Sequence, residues 1–350
     1  MNIVFIINSL EDRGGTERVA TILANALSDK YDVSIVSRKS KDNIPNAFKL
    51  NDAVNDIKFT GNNFSFIKQC KSYVAQSKPD IVIIHTMSKL TPVLLLGSIK
   101  ADNIWSLEHI SFAFHNDLFK YLKHNFYKKL DKVITLTHED AKNYTFIADK
   151  VSVIANSNPL PIRQSVDSLD SKIIVSIGRL TSQKGYDLLI KAWTLVEKKH
   201  PDWSLHIYGE GEDKEKLERL ITRFNMQSIT LQGITNDVRS VYDGASIYVM
   251  SSRFEGFGMV LIEAQSRGLP IVSFDCPSGP AEIISEGIDG YLVENGNVEM
   301  LAERIGYLID NESIRQVFSA NALISAKRFE PEQIINQWIT LIDDECKRNE

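Results

Sequence analysis

The chain has 350 residues, enough for about two domains of ordinary size, and its 43% hydrophobic content allows each a sizeable core. A formal net charge of −5 and a pI near 5.9 argue against a general nucleic-acid binder. Cys70, Cys276 and Cys346 stand far apart, in no metal-ligand or CxxC spacing, and are expected as free thiols in a reducing compartment. The start, MNIVFIINSLEDRGG, breaks off too early for a signal peptide. No apolar run approaches the roughly 20 residues that span a bilayer. The expectation is a cytoplasmic protein, at most peripheral on a membrane.

Residues 3–7 are apolar and rich in β-branched and aromatic side chains, as a parallel strand covered on both faces requires. A loop over 8–15 follows. Thr16 is expected to cap a helix whose buried stripe is Val19, Ala20, Leu23, Ala24 and Leu27. A strand over 31–37 completes a β–loop–α–β unit, the opening of a doubly wound sheet. Strands over 81–85, 104–107, 133–137 and 151–154 continue it. Gly14-Gly15 lies where the first strand meets its helix. It is not GxGxxG, and no acidic residue is placed for a ribose, so NAD is not expected.

His109 stands just past the C-terminal end of a strand, on the edge where such sheets bind ligands, with Glu108 before it. An imidazole suits proton traffic there because its pKa lies near working pH. His85, His115, His124 and His138 are expected to be structural. Residues 112–132, FAFHNDLFKYLKHNFYKKLDK, hold five lysines against two aspartates, with Phe119, Leu122, Phe126 and Leu130 at helical spacing. This pattern fits an amphipathic basic helix on an anionic membrane surface, and equally an ordinary domain helix with a solvated lysine face. Residues 160–171 are polar and read as a linker.

A second βαβ series starts at Lys172. A strand over 173–177 leads into Gly178-Arg179-Leu180-Thr181-Ser182-Gln183-Lys184-Gly185, and a helix follows from Tyr186. Arg179 and Lys184 share this loop, one offering a planar fork and the other a compact charge to phosphate oxygens. Strands over 203–208, 229–231, 245–250, 271–274 and 290–293 follow, then a last helix over 330–346. After the strand at 245–250 comes SSRFEGFGMVLIEAQSRGLP, residues 251–270. Gly256 and Gly258 lead a turn into a helix that stops at Gly268. Such a turn presents free N–H groups and a positive dipole end to a phosphate. Glu255 and Glu263 frame the same place, and carboxylates bind sugar hydroxyls. The stretch reads as a site for a nucleotide sugar.

Glu255-x7-Glu263, with Arg179, Lys184 and Gly14-Gly15-Thr16-Glu17-Arg18, resembles the large retaining glycosyltransferase family usually called family 4. Glu108-His109 is similar to that family's EH motif, and Cys276-Pro277-Ser278-Gly279-Pro280 to its sugar-side loop. The resemblance implies an α/β fold of two Rossmann-like domains facing a cleft, known as GT-B. An acceptor domain would cover 1–160 and a donor domain 161–329, with a helix over 330–350 packing back on the first domain. It implies donor-site roles for Gly15, Arg179, Lys184, Glu255, Gly256, Phe257, Gly258, Met259, Val260 and Glu263. Among these, Glu263 would hold the ribose, while Glu255 and His109 would surround the transferred hexose. His109, Glu255, Lys184 and Arg179 would be the catalytic set. The implied reaction moves a hexose or N-acetylhexosamine from a nucleotide sugar, UDP-linked before GDP-linked, to a glycan acceptor, lipid-linked by analogy. Configuration would be retained. No cofactor and no metal is expected, because no DxD pair is placed for one and the basic pair can do a metal's electrostatic work. The alternatives are a non-catalytic nucleotide-sugar-binding partner subunit, or a soluble-acceptor transferase or epimerase on the same fold.

Overall fold

The computed structural model describes residues 1–12, 14–40, 44–86, 89–166 and 168–349. The chain divides into two compact units, Met1–Ser157 with Pro331–Glu350, and Asn158–Glu330.

The first unit holds a seven-stranded parallel sheet: β1 (Asn2–Ile6), β2 (Asp32–Arg38), β3 (Asn55–Phe59), β4 (Ile81–Thr86), β5 (Asn103–Glu108), β6 (Lys132–Thr135) and β7 (Val151–Val153). Their order across the sheet is β3-β2-β1-β4-β5-β6-β7. The central strands are largely apolar, with Val4, Ile6, Val82 and Ile84 packed against Phe66, Leu94 and Tyr127. The first helix, Gly15–Leu27, is capped by Gly14 and not by Thr16, which lies buried in its first turn; Val19 is half-buried. The C-terminal helix, Pro331–Asn349, belongs to this unit and buries Ile334, Trp338 and Ile342 at four-residue spacing. Asp343 anchors it by accepting hydrogen bonds from Tyr31 Oη at 2.7 Å and Lys30 Nζ at 2.6 Å.

The span 112–132 is not one helix. It breaks into a 3-10 turn (Phe112–Phe114), a helix (Asp117–Phe126) and a second 3-10 turn (Tyr127–Lys129), and Lys132 already lies in β6. Nor are all its lysines solvated. Lys123 is fully buried, within 6.0 Å of the ring centroids of Phe112, Tyr127 and Tyr144. The exposed side of the helix carries Leu118 and Tyr121.

The second unit repeats the plan with six parallel strands: β8 (Ile173–Ile177), β9 (Ser204–Tyr208), β10 (Ile229–Gly233), β11 (Ile247–Met250), β12 (Ile271–Asp275) and β13 (Gly290–Glu294). Their order is β10-β9-β8-β11-β12-β13. Trp193, Leu189, Leu205, Ile207 and Ile305 fill its core. The described residues within 160–171 are strapped to this unit: Arg267 donates to the Pro161 carbonyl, Ser246 Oγ to that of Leu169, and Leu169 itself is buried. Cys70 and Cys276 are buried free thiols, each pushed upward in pKa by burial; the side chain of Cys346 lies outside the described residues. No helix among the described residues is long and apolar enough to cross a membrane.

Candidate functional site

In each sheet the first strand sits in the interior, and the chain leaves it first to one side and then to the other. The switch points lie between β1 and β4 and between β8 and β11. Parallel sheets bind ligands at the carboxyl ends of the strands at such points, because diverging loops leave a crevice there.

At the second switch point, the loops after β8 and β11 are tied together. Arg253 N–H donates to the Gln183 carbonyl at 2.8 Å, Gln183 Nε2 to that of Phe254 at 3.1 Å, and Ser251 Oγ to that of Lys184 at 2.9 Å. The Arg253 guanidinium grips both oxygens of Asp187, at 2.9 and 2.8 Å. Gly185 permits this approach: at φ +63°, a Cβ there would lie 2.0 Å from the Ser251 carbonyl oxygen. The result is an ion pair spanning the two loops. Lys184 Nζ reaches Glu255 Oε1 at 2.6 Å, and Ser252 Oγ donates to that same oxygen at 2.6 Å. Glu255 is buried and Lys184 half-buried. Arg179, on the same loop as Lys184, is exposed, and its guanidinium takes no partner among the described residues. One cation is thus held by a carboxylate while another is open to solvent.

Gly258, at φ +98°, caps the helix Met259–Ser266 and starts it within the same loop. The N–H groups of its first turn, with the helix dipole, form a positive pole at the end of the loop that carries Glu255 and its partner Lys184. Glu263 lies a turn further in, 3% exposed, and accepts a hydrogen bond from Tyr242 Oη at 2.9 Å. Gly256, Met259 and Val260 are half-buried. Phe257 is buried with its ring edge-on to Phe329, centroids 5.7 Å apart, so only its backbone is available to a ligand. The structure therefore brings Lys184 and Glu255 into contact, puts Arg179 on the same loop as Lys184, and sets Glu263 in the helix that the Glu255 loop begins.

At the first switch point, Gly15 opens a helix at the end of the loop after β1. It is exposed, and a Cβ there would meet no atom of the described residues within 4 Å, so these residues do not require a glycine. His109 follows β5, and its Nε2 lies 3.1 Å from Nδ1 of His85 near the end of β4. Burial pushes the His109 pKa down to about 4 against the opposing pull of Glu108, and burial with the neighbouring His109 holds His85 well below its usual value. Burial favours the neutral form of each ring, and two imidazoles in contact at 3.1 Å disfavour a second charge. Glu108 does not hydrogen-bond His109: Ser106 Oγ and Tyr127 Oη donate to its Oε1, and Lys123 Nζ pairs with its Oε2. Glu108 instead forms a sealed ion pair that holds the helix Asp117–Phe126 on β5.

Sequence reasoning missed four partners here: His85, Ser252, Tyr242 and the Asp187–Arg253 clamp. His85 had a signal, since it ends a strand on the ligand edge by the same rule that singled out His109. A groove of about 720 Å³ elsewhere in the second unit, between Ile162, Val166 and Leu169 and Ala320, Leu323 and Ile324, is lined by none of Arg179, Lys184, Glu255 and Glu263.

Two doubly wound parallel sheets, one with cations and carboxylates gathered at its switch point, are the architecture of GT-B glycosyltransferases. The fold agrees with solved structures of that class: S. aureus TarM in a complex containing UDP (TM-score 0.82, 18% identity, 97% of this chain and 99% of that one), and HepE of Anabaena with UDP-glucose (TM-score 0.78, 19% identity, 98% and 100%). The family description "Glycosyl transferases group 1" matches residues 161–344, and "Glycosyltransferase Family 4" matches 13–157. The chain belongs to this glycosyltransferase family. Among its relatives are an uncharacterized glycosyltransferase of Haemophilus influenzae (33% identical, 95% of this chain and 98% of that one) and the amylovoran biosynthesis glycosyltransferase AmsD of Erwinia amylovora (31%, 97% and 99%). Another is a Campylobacter jejuni alpha-1,4-N-acetyl-D-galactosaminyltransferase named for a glycan on PP-undecaprenol (26%, 98% and 98%).

Proposed function

We propose that the protein is a retaining, metal-independent transferase that moves a hexose or N-acetylhexosamine from a UDP-sugar to a lipid-linked glycan in cell-surface polysaccharide assembly. The observation that carries this reading is the Lys184–Glu255 ion pair, on the loop of exposed Arg179 and beside a glycine-capped helix N-terminus. A diphosphate is met by the two cations and the helix N–H groups. The Glu255 carboxylate accepts from hydroxyls of the sugar being transferred, and Glu263 from those of the ribose.

In the reaction, the bond between the anomeric carbon and the phosphate oxygen breaks, with its electron pair leaving on the diphosphate. The acceptor oxygen bonds to the anomeric carbon from the same face and passes its proton to the leaving phosphate oxygen. Negative charge grows on that phosphate, and Arg179 and Lys184 stabilise it as a bound metal would. Within the first unit, the His109 imidazole is assigned to a sugar hydroxyl and the Gly15 backbone to a phosphate. The names of the relatives support the acceptor class, and the alpha linkage in the Campylobacter jejuni name fits retention from an α-linked donor. Leu118 and Tyr121, exposed on the helix Asp117–Phe126 ahead of Lys128 and Lys129, are assigned to the membrane surface that carries such an acceptor.

The test incubates the protein in EDTA with a panel of UDP-, GDP- and ADP-sugars, with and without lipid-linked acceptor, and measures released nucleotide and product anomer. Release from a UDP-hexose or UDP-N-acetylhexosamine, with a retained anomer, is expected. Tight donor binding without turnover in the presence of acceptors overturns the catalytic reading in favour of a partner subunit. Cosedimentation with anionic vesicles, lost in Leu118→Asp/Tyr121→Asp, tests the membrane assignment.

A further inference from the structure

The His85–His109 contact restricts what His109 can do. The ring centroids are 5.2 Å apart, the planes are 19° apart, and the closest nitrogens are 3.1 Å apart. A centroid separation so much longer than the nitrogen contact means that the rings meet along facing edges, nitrogen to nitrogen. Two N–H groups at 3.1 Å would collide, and two lone pairs would repel, so one proton lies between them. Each neutral imidazole has one proton to place. If His109 Nε2 supplied the shared proton, His85 would carry its own on Nε2. That atom is buried, on a residue 2% exposed and packed against Phe5, and has no hydrogen-bond partner among the described residues. An orphaned buried N–H is among the rarest faults in native proteins, rarer than an orphaned acceptor. The arrangement that avoids it puts the shared proton on His85 Nδ1, leaves His85 Nε2 bare, and moves the His109 proton to Nδ1. That nitrogen has no partner among the described residues, on a half-buried ring.

We propose that His85 is a positioning residue for His109: it donates from Nδ1 to His109 Nε2, so that His109 presents Nδ1–H to the substrate as a hydrogen-bond donor. On this assignment His109 binds an oxygen of the transferred sugar and does not take the acceptor's proton, which goes to the leaving phosphate. The use made of the donor rests on the function proposed above, whereas the tautomer itself does not.

The experiment is a long-range ¹⁵N–¹H correlation spectrum of the histidine side chains in the full-length protein at pH 7, with His109 assigned by its loss in His109→Gln. His109 is expected to be protonated at Nδ1 and bare at Nε2; protonation at Nε2 overturns the proposal. The second readout is transfer activity in two variants. His85→Asn keeps an N–H at the position of Nδ1 and is expected to retain the His109 tautomer and activity within about threefold. His85→Leu removes the donor, and is expected to give a tautomer mixture and a loss of about tenfold or more. Equal losses in the two variants, with the tautomer unchanged, overturn the positioning role. If no form of the protein turns over any donor while the Nδ1–H tautomer is found, the proposed reaction fails and the tautomer assignment stands.

Discussion

The two sheets share a strand order, and both keep their polar side chains at the carboxyl edge of the switch point, yet the edges differ in where the charge goes. In the second unit the charges stay within reach of a ligand: Arg179 is exposed, Lys184 half-buried, and Glu255 sits between Lys184 and Ser252. In the first unit the charge pair is sealed, with Glu108 and Lys123 both fully buried at the side chain, and a half-buried imidazole, His109, stands next to it. The second edge is suited to an anion, and the His109 side of the first to uncharged hydroxyls. The same topology supplies both, because the strands fix only where the loops emerge and the loops fix what they carry.

The largest expected effect comes from breaking the sealed pair. Lys123→Ala leaves Glu108 buried and unpaired, which costs about 3–5 kcal/mol of stability. Urea unfolding measures it, and Lys123→Met with Glu108→Gln is expected to recover most of the loss. The sign with pH follows from Glu108. Burial alone would raise its pKa, but Lys123, Ser106 and Tyr127 more than offset this and hold it below the usual carboxylate value. A lowered folded-state pKa means the pair's contribution is present above the unfolded carboxylate pKa and is lost as pH falls through the folded one. Unfolding midpoints of the wild type and the double variant should therefore converge in acid. Midpoints that stay parallel would show that the pair contributes no pH-dependent stability.

The anion edge is broken by Lys184→Ala. The fold should survive, since this side chain is half-buried at a loop, while donor turnover falls about a hundredfold to a thousandfold with the lost charge on the leaving phosphate. A loss of only a few-fold would mean that Arg179 and the helix N-terminus hold the diphosphate without it. Next in size is Glu263→Gln, which leaves the Tyr242 contact possible but removes the charge. Nucleotide affinity should weaken about tenfold, the size of one hydrogen bond to an ionised group, measured by calorimetry with UDP.

How much of this was legible in the chain follows the same division. The buried parallel strands announce themselves as continuous β-branched runs, and β1, β4, β8, β11 and β12 lie within a residue or two of the expected spans. The edge strand β3, Asn-Asp-Ile-Lys-Phe, has no such run because it is exposed or half-buried along its length. The helix Glu312–Ala326 follows Val298–Asp310 after the single residue Asn311, with no glycine or proline to mark the break. At the anion edge, charged residues on Gly-bounded loops could be read because the spacing along the chain carries the pattern. At the neutral edge the decisive neighbours come from sheet register. Thr86 pairs with Glu108, which brings His85 to His109, and Lys123 is drawn inward by a carboxylate fifteen residues earlier. Nothing local to residues 112–132 separates Lys123 from the solvated lysines around it.

The smallest expected effect on the protein itself is the sharpest test of what the first edge binds. Gly15→Ala adds a Cβ that meets no atom of the described residues within 4 Å, at the first position of a helix. Alanine suits a helix better than glycine, so stability should stay the same or rise by less than about 1 kcal/mol. Thermal unfolding checks this. Any loss of donor affinity in a variant that folds as well as the wild type must then come from the space in front of Gly15, and a methyl group there obstructs only a ligand that approaches the backbone closely. An affinity loss confined to nucleotide sugars and nucleoside diphosphates would place the phosphate against Gly15. Unchanged affinity would leave the glycine as a feature of the loop, and assign the diphosphate to Arg179, Lys184 and the helix at Gly258 alone.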